Sequence, residues 1–293
     1  MRVLITGCYG QVGSCLTKQL ADNENTKVLA LDRESLDITN QDAVNAAVAE
    51  FEPSVIINAA AHTAVDKAEE EVDLSCAINR DGPKYLAQAA QSVGAAMLHI
   101  STDYVFEGNK VGEYTETDAT NPQGVYGESK LAGEIAVAEK CDKHVILRTA
   151  WVFGESGNNF VKTMLRLGES RDALSIVGDQ FGGPTYAGDI ASALIQIAKR
   201  ITQGKTVEYG VYHYSGLPHV SWFDFADTIF DIAVEQGVLE KKPRLTSLTT
   251  DQYPTPAKRP SNSRLSTHKI TQAFSVEASD WKAALNNIQV YTG

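Results

Sequence analysis

The first half of the chain alternates between short runs of aliphatic residues and longer segments in which apolar residues recur at helical spacing. The short runs read RVLIT, KVLAL, SVIINAAA, AAMLHIS and HVILRTA. Strands that alternate with helices pair in parallel, because each helix returns the chain to the same end of the sheet and covers one of its faces. The pattern therefore predicts an α/β fold built on a doubly wound parallel sheet.

A glycine loop, TGCYGQVG, lies at the junction of the first strand and the first helix. Gly7, Gly10 and Gly13 allow a tight turn, close approach of the backbone to a pyrophosphate, and close packing of helix on strand. Free amide groups and the helix dipole at this N-terminus stabilise an anion. We therefore predict a Rossmann-type sheet that binds a dinucleotide here, with further contacts from Gln11 and Val12.

Asp32 closes the second strand about 20 residues after the loop, where a carboxylate can accept a hydrogen bond from the adenosine ribose. An ordinary strand-end turn is the alternative interpretation. Asp32 would repel a 2′-phosphate and favour NADH, whereas Arg33 could pair with that phosphate and favour NADPH, so the choice of cofactor stays open. Further predicted cofactor contacts are Asp37, Ile38, Ala59, Ala60 and Ala61.

The alternation loosens after about residue 154, and a length of 293 residues favours a second, smaller unit. We predict a dinucleotide-binding domain over 1–154 plus about 186–212, and a C-terminal substrate-binding domain over about 155–185 and 213–293. Helices are expected near 158–169, 188–202 and 221–236, with strands at LSIV and GVYHYS. The segment from Lys242 to Pro260 is expected to cross the surface in extended form.

The formal net charge of −11 argues against binding to nucleic acid or an anionic membrane, because the surface as a whole repels polyanions. No segment approaches the roughly 18 apolar residues that a membrane helix needs. The four cysteines show neither zinc-site spacing nor a disulfide framework. We therefore expect a cytoplasmic protein with reduced thiols and with neither a nucleic-acid nor a membrane partner.

Three polar side chains are candidates for a catalytic site. Thr102 follows the strand MLHI, at the carboxyl edge where open α/β sheets bind ligands. Tyr126 and Lys130 begin an amphipathic segment and are four residues apart, so on a helix they lie one above the other, about 5–6 Å between Cβ atoms. Taken alone, the spacing is equally consistent with a half-buried tyrosine beside a solvated lysine.

Together, the T-G-x-x-G-x-x-G loop, the strand-end hydroxyl and the Y-x-x-x-K pair resemble the extended short-chain dehydrogenase/reductase family. The resemblance implies that Tyr126 donates a proton to a carbonyl oxygen as hydride arrives from NADPH or NADH. Lys130 would favour the phenolate form of Tyr126 and hold the nicotinamide ribose. Thr102 would donate a hydrogen bond to the same carbonyl oxygen and orient it.

Longer segments, among them STDYVFEG, VYGESKLAGE, RTAWVFG and DQFGGPT, extend the resemblance over essentially the whole chain. They are similar to family members that act on nucleotide-linked sugars, which implies reduction of the 4-keto group of a dTDP-sugar for bacterial surface polysaccharides. The resemblance places Thr63, Val65, Tyr104 and Trp151 around the sugar, with core packing as the alternative for Trp151. It places around the nucleotide part Asn159, Phe160, Gln180, Arg259, Asn262 and Arg264.

The triplet Thr102-Asp103-Tyr104 differs from the Thr-Asp-Glu of related dehydratases, whose carboxylic acids drive elimination of water. Carbonyl reduction is therefore favoured, with an epimerase or dehydratase, or a non-catalytic regulatory subunit of the same fold, as alternatives. Some family members bind magnesium at a dimer contact through acidic residues. One of those positions is Cys15 here, so no metal is predicted, and a homodimer remains an expectation from the resemblance alone.

Overall fold

A computed structural model describes residues 1–21 and 25–292 of the chain. A π-helical turn, Ala77–Asp81, joins α4 to α5, and a 3-10 turn, Asp103–Val105, follows β4. The elements as far as Thr149 are β1 (Arg2–Thr6), α1 (Gln11–Ala21), β2 (Lys27–Leu31), α2 (Gln41–Phe51), β3 (Val55–Asn58), α3 (Val65–Ala68), α4 (Val72–Cys76), α5 (Gly82–Ser92), β4 (Ala96–Thr102), α6 (Val125–Lys140) and β5 (His144–Thr149).

The second half is less regular, as the sequence predicts, and its three long helices begin and end within two residues of the expected positions. Part of the segment after Lys242 forms a strand that pairs with β7. The elements are β6 (Val152–Phe153), α7 (Phe160–Ser170), β7 (Ala173–Val177), β8 (Phe181–Gly182), β9 (Thr185–Tyr186), α8 (Ala187–Thr202), β10 (Gly210–His213), β11 (Val220–Ser221), α9 (Trp222–Glu235), β12 (Arg244–Leu248), β13 (Asn262–Ser263), α10 (His268–Phe274) and α11 (Trp281–Leu285).

The main sheet has six parallel strands in the order β10-β5-β4-β3-β1-β2. From β1 the chain first adds β2 on one side and then β3 on the other, so the connections reverse direction between β1 and β3. Such a switch point opens a crevice at the carboxyl ends of the strands. The prediction of a doubly wound, Rossmann-type α/β fold is confirmed, and the glycine loop lies at this crevice.

The two faces of the sheet carry separate cores, since successive strand residues point to opposite sides. Val3 and Ile5 of β1 pack with α1 and α8, while Leu4 packs with α2 and α5. Each fully buried aliphatic side chain of this kind contributes about 1.5–3 kcal/mol. Both faces are therefore covered, which gives the strand ends a rigid base.

A third core, rich in aromatic residues, lies among α7, α9 and α11. With the short strands β7, β8 and β11–β13, these helices form what we term the C-terminal lobe. The division into two domains stays a prediction: α8 and β10 lie with the main sheet, but so does α10, whose Ile270 and Phe274 join its core. Among the described residues, no helix is both long and apolar enough to cross a membrane.

Candidate active site

The glycine loop forms a cradle in which added side chains would not fit. Gly7 has φ +72°, in the region that favours glycine, and a Cβ there would lie 2.7 Å from the backbone nitrogen of Ala60. A Cβ on Gly13 would lie 2.0 Å from the carbonyl oxygen of Gly7. The loop backbone therefore lies directly against the end of β3 and the start of α1, a geometry that fits a dinucleotide pyrophosphate at the helix N-terminus.

A row of buried polar side chains lies across the sheet beneath this cradle. Thr6 and Asn58 are paired in register on β1 and β3, and Asn58 is paired with His99 on β4. The Thr6 hydroxyl donates to Asn58 Oδ1 at 2.7 Å, and Asn58 Nδ2 lies 3.0 Å from His99 Nδ1. Asn58 Oδ1 also accepts from the amide of Ala60 at 3.1 Å, so the row fixes the Ala59–Ala61 segment.

Asp32, just after β2, forms the local turn that was one of the two interpretations of its sequence position, and its contact with a ribose stays a prediction. Its Oδ1 accepts hydrogen bonds from the amide of Ser35 at 2.8 Å and from the Ser35 hydroxyl at 2.5 Å, which lower the pKa of Asp32. Asp37 likewise closes a local turn by accepting from the amide of Thr39 at 2.9 Å. Ile38 is buried against Gly82, and the side chain of Arg33 is exposed.

Thr102, Tyr126 and Lys130 meet at the carboxyl end of β4. Thr102 is the last residue of that strand, and α6 presents Tyr126 and Lys130 from its first two turns. All three are buried. The Lys130 ammonium donates to the carbonyl oxygen of Ile100 at 2.7 Å, which anchors the helix to the same strand. The structure thus brings the three candidate catalytic residues together.

The pKa of the Tyr126 phenol differs from the sequence expectation. Burial raises it, with a smaller opposing contribution from a hydrogen bond with the Thr102 hydroxyl. The expected net lowering by Lys130 is not seen, because loss of water dominates and the ammonium points to the Ile100 carbonyl. Burial also lowers the pKa of Lys130 to about 8, opposed by Glu134. Tyr126 therefore holds its proton at neutral pH.

Tyr104 and Arg259 lie next to this cluster. The Tyr104 ring meets the Tyr126 ring edge-on, with centroids 5.4 Å apart. Arg259 Nη1 donates to the Tyr104 hydroxyl at 3.5 Å, and its Nη2 lies 2.6 Å from Asp66 Oδ2. The residues next to Asp66 include the predicted sugar contacts Thr63, which is exposed, and Val65, which is half-buried.

Trp151 and Phe160 belong to an aromatic stack. Trp151 has φ +51° and lies parallel to the Trp222 ring at 3.5 Å between centroids. Gly182 leaves room for it, because a Cβ there would lie 2.5 Å from the indole. Phe160 is 4.5 Å from the Trp222 ring. The stack holds these two side chains in the aromatic core, and their roles toward a substrate stay predictions.

Four other predicted substrate contacts bind the protein itself. Asn159 caps α7 and donates to Gln11 Oε1 at 3.1 Å. Asn262 donates to the carbonyl of Lys110 at 2.7 Å and accepts from Arg264 Nε at 2.7 Å. Gln180 Nε2 donates to the Thr250 hydroxyl at 3.1 Å, and the Arg264 guanidinium lies 5.7 Å from the Phe181 ring centroid. Their assignment to the nucleotide part stays a prediction.

Two acidic residues with positioning contacts were not singled out from the sequence. Glu69 Oε1 accepts from the amide of Val125 at 3.0 Å, so it caps the helix that carries Tyr126. Asp103 is buried between the Thr102 and Ser263 hydroxyls. Both residues contact distant parts of the chain; the sequence signal for Asp103 was an acidic residue inside an otherwise apolar segment, and Glu69, in an acidic run, had none.

Cys15 occupies the position where some family members have an acidic magnesium ligand. It is half-buried, and its sulfur lies 3.9 Å from Glu155 Oε2. Burial raises the pKa of its thiol to about 11. Within 1–21 and 25–292, no group of three histidine, cysteine or acidic side chains is placed to hold a metal ion.

A doubly wound sheet, a glycine cradle at its switch point and a Thr-Tyr-Lys cluster at the adjacent strand end define the extended short-chain dehydrogenase/reductase class. The sequence profile of the family described as RmlD substrate binding domain matches residues 1–291. The chain belongs to this family, and the resemblance seen in the sequence is confirmed.

Known relatives match over their full length. A dTDP-4-dehydrorhamnose reductase from Aggregatibacter actinomycetemcomitans is 57% identical over 290 residues, 99% of each chain. The crystal structure of a dTDP-4-dehydrorhamnose reductase from Clostridium acetobutylicum is 43% identical, with a TM-score of 0.91 and 100% of both chains covered. Another, from Bacillus anthracis in complex with NADP, is 38% identical, with a TM-score of 0.91 and 99% and 98% of the two chains covered.

Proposed function

We propose that this protein reduces the 4-keto group of dTDP-4-dehydro-L-rhamnose to give dTDP-L-rhamnose, with NADPH or NADH as the reductant, for bacterial surface polysaccharide synthesis. The observation that carries the proposal is the meeting of Thr102, Tyr126 and Lys130 beside the glycine cradle. It occurs in a chain whose relatives over the full length are named dTDP-4-dehydrorhamnose reductases.

The residues present fit the dinucleotide. Gly7, Gly10 and Gly13 would hold its pyrophosphate, the turn at Asp32 and Arg33 its adenosine ribose, and Lys130 its nicotinamide ribose. When bound, the reduced nicotinamide supplies the hydride that the carbonyl carbon receives. Because glycine cannot be replaced in the cradle without a clash, the affinity for cofactor depends on the backbone more than on side chains.

Tyr126 donates its hydroxyl proton to the carbonyl oxygen and is reprotonated from solvent afterwards. The raised pKa of its phenol keeps that proton in place at neutral pH until the oxygen becomes basic. Thr102 polarises the same oxygen by a hydrogen bond. The Lys130 ammonium would stabilise the phenolate that remains; burial disfavours its charge and lowers its pKa.

Substrate recognition is proposed to centre on Tyr104 and Arg259. Tyr104 lies against the Tyr126 ring, so it would border the sugar next to the proton donor. A guanidinium matches the oxygens of a diphosphate, and Arg259 supplies a local positive charge on an acidic protein. Its present partner, Asp66, would exchange with the diphosphate. The remaining predicted contacts keep their sequence assignments within this proposal.

The test follows the loss of reduced-nicotinamide absorbance with dTDP-4-dehydrorhamnose generated in place. We expect turnover with NADPH, with NADH or with both. Tyr126→Phe should lower kcat by about 10²–10⁴-fold with the fold retained, the range of a positioned general acid. Unchanged kcat in a folded Tyr126→Phe variant would reject the assignment of the proton donor. Tightly bound oxidised NAD and turnover without added reductant would indicate an epimerase or dehydratase instead.

A cytoplasmic location and a homodimer also belong to this proposal. The four cysteines are all free thiols, which suits a reducing compartment. The dimer rests on the resemblance to the family, and light scattering of the purified protein tests it directly.

A further inference from the structure

We propose that Asp103 is a positioning residue that governs whether Thr102 can donate its hydroxyl proton to the substrate carbonyl. The inference rests on the proposed function and adds a residue to it. Its basis is the hydrogen-bonding geometry around Thr102 and Asp103, in which the two carboxylate oxygens have separate partners.

The Thr102 hydroxyl has one proton and two lone pairs. Its oxygen accepts from the amide of Tyr104 at 3.2 Å, and it donates its proton to Asp103 Oδ1 at 3.1 Å. While Asp103 is ionised, the only proton of Thr102 therefore points to a carboxylate. Because the same hydroxyl is also hydrogen-bonded with the Tyr126 phenol, Asp103 competes for the proton that Thr102 would otherwise donate to that phenol or to a carbonyl oxygen.

Protonation of Asp103 reverses this hydrogen bond. The neutral acid donates to the second lone pair of Thr102, and the Thr102 proton becomes free to turn to the carbonyl oxygen. Asp103 keeps its second partner in this state, because its Oδ2 still accepts from the Ser263 hydroxyl, which lies 2.5 Å away. A proton on Asp103 thus supplies the polarising donor that the reaction needs.

The surroundings place this proton within reach of the working pH. Asp103 is 4% exposed, and burial raises its pKa to about 6, against the opposing hydrogen bonds from Ser263, Thr102 and nearby amides. The ionisable groups that face it are the phenols of Tyr104, from its own turn, and of Tyr126, from α6, and its charge raises the pKa of both. On the side of the C-terminal lobe it meets the Ser263 hydroxyl.

The test compares kcat/KM of Asp103→Asn and wild type for dTDP-4-dehydrorhamnose between pH 5 and pH 8. Asparagine keeps an acceptor for Ser263 and permanently donates to Thr102. We expect the ratio of variant to wild type to rise with pH by about 10–100-fold, up to the value of one oxyanion donor. Titrations of other groups affect both proteins and cancel in the ratio, and the two phenols whose pKa Asp103 raises titrate above this pH range. In a Thr102→Val background the same ratio should not change with pH, because Asp103 acts through Thr102.

Asp189 offers a matched control. It also accepts from a serine hydroxyl, that of Ser279 at 2.6 Å, and burial also raises its pKa, but it lies at the start of α8. Asp189→Asn should leave the pH profile of kcat/KM parallel to that of wild type. This control separates the loss of a buried carboxylate from the specific contact with Thr102.

Ser263→Ala gives a second readout if Asp103→Asn folds poorly. Ser263 lowers the pKa of Asp103, so its removal should move the fall in kcat/KM upward by about one to two pH units. The proposal would be overturned if the kcat/KM ratio of Asp103→Asn to wild type did not change with pH, or if the pH profile of kcat/KM in Ser263→Ala matched that of wild type. Either result would leave the reductase function standing. A wild-type protein that reduces no keto sugar at any pH would reject both.

Discussion

The free energy of unfolding should depend on pH in a way that reveals the buried Asp103 carboxyl. The change to make is Asp103→Asn, and the quantity to compare is the free energy of unfolding of variant and wild type at a series of pH values. The folded-state pKa of Asp103 is raised to about 6, whereas an unfolded aspartate titrates near its ordinary value of 3.8. The asparagine has no proton to release, so the difference between the two proteins isolates this one group.

The sign follows from the protons bound in each state. Between the two pKa values the unfolded chain has released the proton while the folded protein keeps it, so wild-type stability falls as pH rises. The contribution is fully present below pH 4 and lost above about pH 6. A separation of about two pH units corresponds to about 3 kcal/mol. For a chain of 293 residues that is a shift of about 5 °C in Tm.

Urea unfolding at pH 4, 5, 6, 7 and 8 is a suitable assay, in which the free energy of unfolding is extrapolated linearly to zero urea. The comparison requires that the two proteins have equal m-values. From pH 4 to pH 8 the free energy of unfolding of wild type should fall by about 3 kcal/mol relative to that of Asp103→Asn. Asp32→Asn is the control, because the pKa of Asp32 is lowered and its effect falls below this range. Parallel curves for wild type and Asp103→Asn would show that the carboxyl is not held neutral by burial, and would refute the reasoning.

Two further changes test the cofactor and substrate sites. Gly13→Ala should lose most of its NADPH affinity, measured by fluorescence titration, since its Cβ would lie 2.0 Å from the Gly7 carbonyl; wild-type affinity would contradict the cradle. Arg259→Ala should raise KM for the dTDP-sugar about tenfold or more with a smaller change in kcat, as expected for a lost diphosphate contact. Lys258→Ala, whose ammonium bonds exposed Gln123, is the matched control, and an equal effect there would point to general charge.

The sheet could be predicted because its signal is local and repeated. The run RVLIT has three consecutive aliphatic residues at its centre because β1 is buried on both faces, and the glycine residues alone indicate the turn that follows it. One strand end and one helical spacing brought Thr102, Tyr126 and Lys130 into consideration, and the resemblance to a known family was needed to choose this cluster over a solvated lysine. Where a contact is set by a single element, residue order is sufficient to find it.

Contacts between distant elements were beyond such reasoning. Ser263 meets Asp103 across 160 positions of the chain, and Glu69 caps Val125 across 56, with no periodic pattern to announce either. The net shift of the Tyr126 pKa was also misjudged. A neighbouring charge can be read from spacing, whereas burial depends on every element packed around the phenol.

The bond from Lys130 to the Ile100 carbonyl ties α6 to β4 two residues before Thr102. Tyr126 and Thr102, the proposed proton donor and polarising hydroxyl, therefore lie on two elements that are joined directly, whereas Ser263 contacts Asp103 from the C-terminal lobe. A shift of the C-terminal lobe would leave Tyr126 and Thr102 in place relative to each other. It would change only the pKa of the Asp103 carboxyl. The position of the lobe would then determine the strength of one hydrogen bond, the bond between Thr102 and Asp103.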